Sequence, residues 1–88
     1  MIRFEYEIEN PSGFHARPAS MLVKEAMQYQ SIIQFQKGES IVNCKSMMSV
    51  LAAGIKNGDC LVFIIEGEDE GEAEHGFKTF LETALKGV

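Results

Sequence analysis

Imidazole is a nitrogen nucleophile near neutral pH, and the chain has two histidines in opposite settings. His75 lies among Glu72, Glu74 and Lys78, off the apolar stripe of its segment, and reads as a solvated surface residue. His15 lies in Gly13-Phe14-His15-Ala16-Arg17-Pro18, where an extended pattern gives way to a helical one. If a helix begins at Ala16, the amides of Ala16 and Arg17 have no helical acceptor and point toward His15. A helix N-terminus carries partial positive charge and holds phosphate well. Arg17 adds a permanent cation whose planar fork matches phosphate oxygens. Pro18 lacks an N–H, so it stiffens the turn without consuming either amide. These parts suit a histidine that accepts a phosphoryl group, cradled by Ala16, Arg17 and Pro18. Four residues also suit a histidine that does no more than precede a helix.

A second segment is Cys44-Lys45-Ser46-Met47-Met48-Ser49-Val50-Leu51. Ser46 fits a plain N-cap, worth about 1 kcal/mol. The short helix after it, Met47 to Ala53, is apolar nearly all round and cannot turn every side chain to one core. Some of Met47, Met48 and Leu51 should therefore be exposed, as an adaptable patch for a partner. The bland reading makes both methionines core filler.

The elements that must position these residues follow from periodicity. Ile2 to Glu9 alternates apolar and charged residues, the mark of a strand with one wet face. Asn10-Pro11-Ser12-Gly13 is turn chemistry. From Ala16 the period becomes helical, with Ala19, Leu22, Val23, Ala26 and Met27 on one face. Ser31 to Gln36 and Ser40 to Asn43 read as a hairpin turning at Lys37-Gly38-Glu39. Asn57-Gly58 marks a turn before the continuous apolar run Cys60 to Ile65, a central strand. Asp69 with Glu72 resembles a capping box for a last helix with Ala73, Phe77, Phe80, Leu81, Ala84 and Leu85 as its core stripe. The order β-α-β-β-α-β-α predicts an α+β fold. It is an open-faced β-sandwich, a four-stranded, mostly antiparallel sheet with three helices on one face. All 88 residues form a single domain, 1–88.

Composition excludes several classes. The net charge of −5 argues against nucleic acid or an anionic membrane as partner. No apolar run approaches the roughly 20 residues of a membrane span, and Met1 leads straight into a strand pattern without a signal-like segment. Cys44 and Cys60 form no CxxC, so reduced thiols in a cytoplasmic protein are expected. Zinc would require scattered singletons, a serine hydrolase lacks its elbow glycines, and no cofactor is implied. Six of the thirteen acids lie from Glu66 to Glu74 and read as a solvated loop and helix start.

The Gly-Phe-His-Ala-Arg-Pro stretch and Lys45-Ser46-Met47-Met48, whose serine follows His15 by 31 residues, together resemble the HPr phosphocarrier family of the bacterial phosphoenolpyruvate:sugar phosphotransferase system. Size, element order and the Asn57-Gly58 turn agree, so the resemblance covers essentially the whole chain. It implies that His15 takes a phosphoryl group on Nδ1 from enzyme I and passes it to a sugar-specific enzyme IIA. It implies that Arg17 steadies the phosphoryl charge, that Ser12 and the first helix amides line the pocket, and that Ser20, Met47, Met48 and Leu51 meet partner proteins. Ser46 would be the target of an HPr kinase/phosphorylase, and the product a corepressor for a catabolite-control transcription factor. Such a protein is a carrier and not an enzyme.

Ser49 departs from the family pattern, standing where relatives often have glycine, and a side chain there could crowd a kinase. Rival readings are a paralogue with a signalling or nitrogen-branch role, and a small α/β module that binds an amino acid. The latter leaves His-Ala-Arg-Pro unexplained. The outer sheet face also looks apolar, because Val62 and Ile64 point out if Leu61, Phe63 and Ile65 point in. A monomer is nevertheless expected. Sedimentation equilibrium should return one monomer mass at every concentration, and a rising mass would implicate that outer face.

Overall fold

The computed structural model describes all 88 residues, as β1 (Ile2–Glu7), α1 (Ala16–Met27), β2 (Ile32–Lys37), β3 (Ser40–Asn43), α2 (Met47–Ala52), β4 (Cys60–Glu66) and α3 (Glu70–Glu82). The sheet order is β1-β4-β2-β3, antiparallel throughout. The open-faced sandwich expected from the sequence is therefore present. Gly38, at φ 61°, opens the two-residue loop that pairs Lys37 with Ser40.

Alternation on β1 puts Ile2, Phe4 and Tyr6 toward the helices, and the register sets Phe4 opposite Phe63 and Phe63 opposite Phe35. These rings contact in sequence, Phe4–Phe63 at 5.4 Å and Phe35–Phe63 at 6.0 Å between centroids, and Phe14 extends the row at 5.5 Å from Phe35. Phe77 of α3 meets Phe63 at 5.3 Å from above. Each aromatic pair contributes about 0.5–1.5 kcal/mol beyond its buried area. The row thus ties the edge strand, the sheet centre and the segment before α1 into one core.

Several boundaries and faces differ from expectation. β1 ends at Glu7, although Ile8 is buried and continues main-chain bonding to the loop before β4. β2 begins at Ile32, because the Ser31 amide bonds to Asp69 instead of a strand. Met27 is 63% exposed at the last residue of α1, while its neighbour Ala26 is fully buried. Ala84 is also exposed, because α3 stops at Glu82, and Leu85 reaches the core from the following turn by donating its amide to Phe80 O. Ile64 points to the outer face as expected but is only 7% exposed, with Arg3 and Gln34 opposite it on the flanking strands. Val62 is half-buried there, facing Glu5 and Gln36. Ile32 and Ile41 are the well-exposed apolar residues of that face.

Two close approaches fix α3. Tyr29 Oη donates to Glu25 Oε2 at 2.9 Å and lies 1.9 Å from where a Cβ on Gly76 would stand, so any other residue at 76 would displace the Tyr29 ring from this position. Burial, with Glu25 beside it, pushes the Tyr29 phenol up to about 12. The expected capping box does not form. Asp69 makes no side-chain bond to its own helix and accepts instead from the amides of Gln30 (2.8 Å) and Ser31 (2.9 Å) and from the Ser31 hydroxyl. Ser31 is buried, so its amide and hydroxyl have little water to turn to, and the tertiary bonds win.

The Ser31 hydroxyl and the two amides hold the Asp69 carboxyl below its ordinary pKa. A carboxylate depressed in the folded state stabilises above the unfolded pKa, about 4, and loses that contribution as pH falls through the folded value. Asp59 and Glu70 are lowered in the same sense by their own amide partners. Thermal melts should therefore show Tm falling below about pH 4. Asp69→Asn should melt lower at neutral pH and lose less on acidification, whereas parallel Tm–pH curves for the two proteins would contradict this role.

Candidate functional site

Phe14 is buried against Phe35, and the next residue, His15, is turned out to solvent. His15 is the N-cap of α1 (φ −81°, ψ −171°), and its imidazole caps nothing. The first helical bond runs from Ala19 N to His15 O at 2.8 Å, and Pro18 has no N–H, so the amides of Ala16 and Arg17 are left without helical acceptors. Arg17 is exposed and belongs to none of the ion pairs. Ser12 is exposed three residues before His15 in the same loop. A free imidazole, two free amides and a free guanidinium thus share one short stretch of chain. An incoming phosphate would meet both the positive end of α1 and the Arg17 charge. Pro18 is buried, so it supports the turn from beneath and presents no surface to a ligand.

The loop before His15 is held rigidly. Gly13 lies at φ 58°, and a Cβ there would come within 2.2 Å of Ile55 O, so no other residue fits. Phe14 N donates to the same Ile55 O at 3.0 Å. The sequence marked Asn10 only as turn chemistry and did not mark Ile55 at all. Yet Asn10 continues the even-numbered, inward positions of β1, and a polar residue at an inward position is a signal that it bonds something buried. It is 1% exposed and donates Nδ2 to Gly13 O at 2.7 Å.

The second candidate cluster sits on α2, which packs against α1. Ser46 is its N-cap, with Oγ accepting from Ser49 N at 3.3 Å and donating to Ser49 Oγ at 3.0 Å. Ser49 therefore engages the Ser46 hydroxyl directly. Lys45 Nζ donates to Tyr29 O at 2.7 Å, so its charge is committed to the end of α1. Met48 is 82% and Leu51 43% exposed, while Met47 packs partly against the core. Ser20 is exposed one turn beyond Ala16 on the same face of α1. Val50 is the buried residue of α2.

The other chemical residues stay apart. His75 is exposed in a shallow groove with Glu25, Thr79 and Thr83 and makes no side-chain bond. Cys44 is buried, which pushes its thiol pKa up, and Cys60 is exposed and unpaired with it. No three His, Cys, Asp or Glu side chains stand close enough to hold a metal ion. No helix is long and apolar enough to cross a membrane.

Residues 2–83 match the family described as the PTS HPr component phosphorylation site. The chain belongs to the HPr family. Its relatives there include the phosphocarrier protein HPr of Lysinibacillus sphaericus, 36% identical over 88% of each chain. The HPr-like protein Crh of Halalkalibacterium halodurans is 35% identical over 93% of this chain and 98% of its own. In three dimensions the chain is similar to HPr of Thermoanaerobacter tengcongensis, with a TM-score of 0.91, 34% identity and coverage of 97% and 96%. Family membership makes it a phosphocarrier protein of the phosphotransferase system.

Proposed function

We propose that His15 is the phosphoryl acceptor, charged by the phosphohistidine of enzyme I and discharged to a sugar-specific enzyme IIA in the cytoplasm. The observation that carries this reading is the unengaged imidazole beside the free Ala16 and Arg17 amides. In the transfer, the Nδ1 lone pair forms a new N–P bond while the donor's N–P bond breaks and its electron pair returns to the donor imidazole. The phosphoryl group, of roughly −2 charge, is then met by the two amides, the Arg17 guanidinium and the Ser12 hydroxyl. The partner enzymes supply magnesium and phosphoenolpyruvate, and this chain supplies the nucleophile and the cradle. Ser20, Met47, Met48 and Leu51 form the surface a partner covers. Similarity to Crh favours a second reading, a signalling paralogue that uses Ser46 alone, but the retained His15 speaks for the carrier.

Regulation by an HPr kinase/phosphorylase at Ser46, with a catabolite-control transcription factor reading the product, belongs to the same proposal. A phosphate on an N-cap serine complements the helix dipole, so stability is kept. It also sets charge within the Met48 and Leu51 patch, which a docking partner must desolvate.

Incubation with enzyme I, magnesium and phosphoenolpyruvate should add about 80 Da to the wild type, one acid-labile phosphoryl group, and nothing to His15→Ala. No adduct from a competent enzyme I would transfer the weight to the signalling reading. Ser46→Asp should slow that transfer about tenfold or more without lowering Tm, the scale of a 1.4 kcal/mol loss in docking. Equal transfer rates for wild type and Ser46→Asp would remove the switch.

A further inference from the structure

The imidazole of His15 forms no hydrogen bond within the chain, so its direction is set by the backbone from which it hangs. That backbone is held from one side by a single buried residue. Asn10 is 1% exposed, its Nδ2 donates to Gly13 O at 2.7 Å, and its main-chain oxygen accepts from Gly13 N at 3.0 Å. Both polar groups of Gly13 are thus occupied by one residue, three positions away. Gly13 in turn presses against Ile55 O so closely that no Cβ fits. The same Asn10 Nδ2 reaches Val88 O at 3.4 Å, and Gly87 N donates to Glu9 O at 3.3 Å. The chain after Leu85, itself 1% exposed, therefore lies against the loop that presents His15.

We infer that Asn10 is a positioning residue for phosphoryl transfer at His15, clamping the Gly13 peptide between Ile55 and the segment ending at Val88. The inference rests on the carrier reading of His15. In-line transfer needs reacting atoms held to within a fraction of an ångström, and a displacement of about 1 Å can cost 100-fold in rate. Loss of the Asn10 amide leaves Gly13 O without its buried donor and lets the loop relax. The α1 amides stay where the helix holds them, so the imidazole moves relative to its cradle. The docking residues Ser20, Met47, Met48 and Leu51 stand on helices to which Asn10 makes no hydrogen bond. The loss should fall on kcat and spare KM.

The test is steady-state transfer from enzyme I, charged with phosphoenolpyruvate and magnesium, to the wild type, Asn10→Ala, Asn10→Asp, His15→Ala and Ile65→Val. All are measured at a temperature where circular dichroism reports each folded. Asn10→Asp keeps the shape, but an ionised carboxylate cannot donate to Gly13 O. Both Asn10 variants should lose about 10- to 100-fold in kcat with KM for the carrier unchanged. Ile65→Val trims the core on β4, away from the loop, and should transfer as the wild type does. If Asn10→Ala does not fold, Asn10→Asp carries the comparison. Wild-type kcat in a folded Asn10 variant, a loss seen only in KM, or an equal loss in Ile65→Val would each overturn the inference. Phosphorylation of His15→Ala would overturn the carrier reading itself, a separate result.

Discussion

The burial of Phe14 is the constraint on which the site depends. Its ring packs edge-on against Phe35, and Phe35 is one step in a row of aromatics running through Phe63 to Phe4 across three strands. Because Phe14 is driven inward, the next residue must face out, at the point where helical hydrogen bonding begins. His15 is therefore exposed by the packing of its neighbour. The core lends the site rigidity, and the helix start lends it unpaired donors.

The same economy governs the rest of the surface. The chain spends its charges on ties between segments that secondary structure leaves unconnected. Asp69 joins α3 to the start of β2, Lys45 joins the approach to α2 to the end of α1, and Lys37 pairs with Asp59 at 2.9 Å. Arg17 is left out of these ties, so its cation stands free beside the N-terminus of α1. Of these ties, the exposed Lys37–Asp59 ion pair contributes little stability by itself. The service of all three is to hold the geometry of loops that have no ladder of their own.

The α2 region shows how a single side chain changes a local problem. A serine at position 49 supplies both an amide and a hydroxyl to Ser46. A glycine would supply the amide alone. The Ser46 proton is thus already donated within the helix start, and a kinase would compete with Ser49 for it. From the sequence only crowding of a kinase by this side chain is expected; the hydrogen bond between the two hydroxyls is a contact it does not foretell.

Sequence alone determined the element order, the inward face of β1, the helix beginning at Ala16 and the serine cap of α2, because each rests on local periodicity or on a cap within a few residues. It brought imidazole, amides and guanidinium together at His15 for the same reason, since they are consecutive in the chain. It did not reveal that Asp69 would leave its own helix for Ser31, that Ala84 and Met27 would face solvent, or that Ile64 would be covered on the outer face. The Asp69 and Ile64 outcomes depend on which distant segments meet, 38 residues apart at Ser31 and Asp69 and 30 apart at Gln34 and Ile64. The other two depend on where the helices end. The burial of Asn10 was half visible, in the parity of β1. Its partners, Gly13 O held against Ile55 and Val88 from the far end of the chain, were decided only by the tertiary structure. A buried amide must find whatever polar group the fold brings to it, and no local pattern names that group.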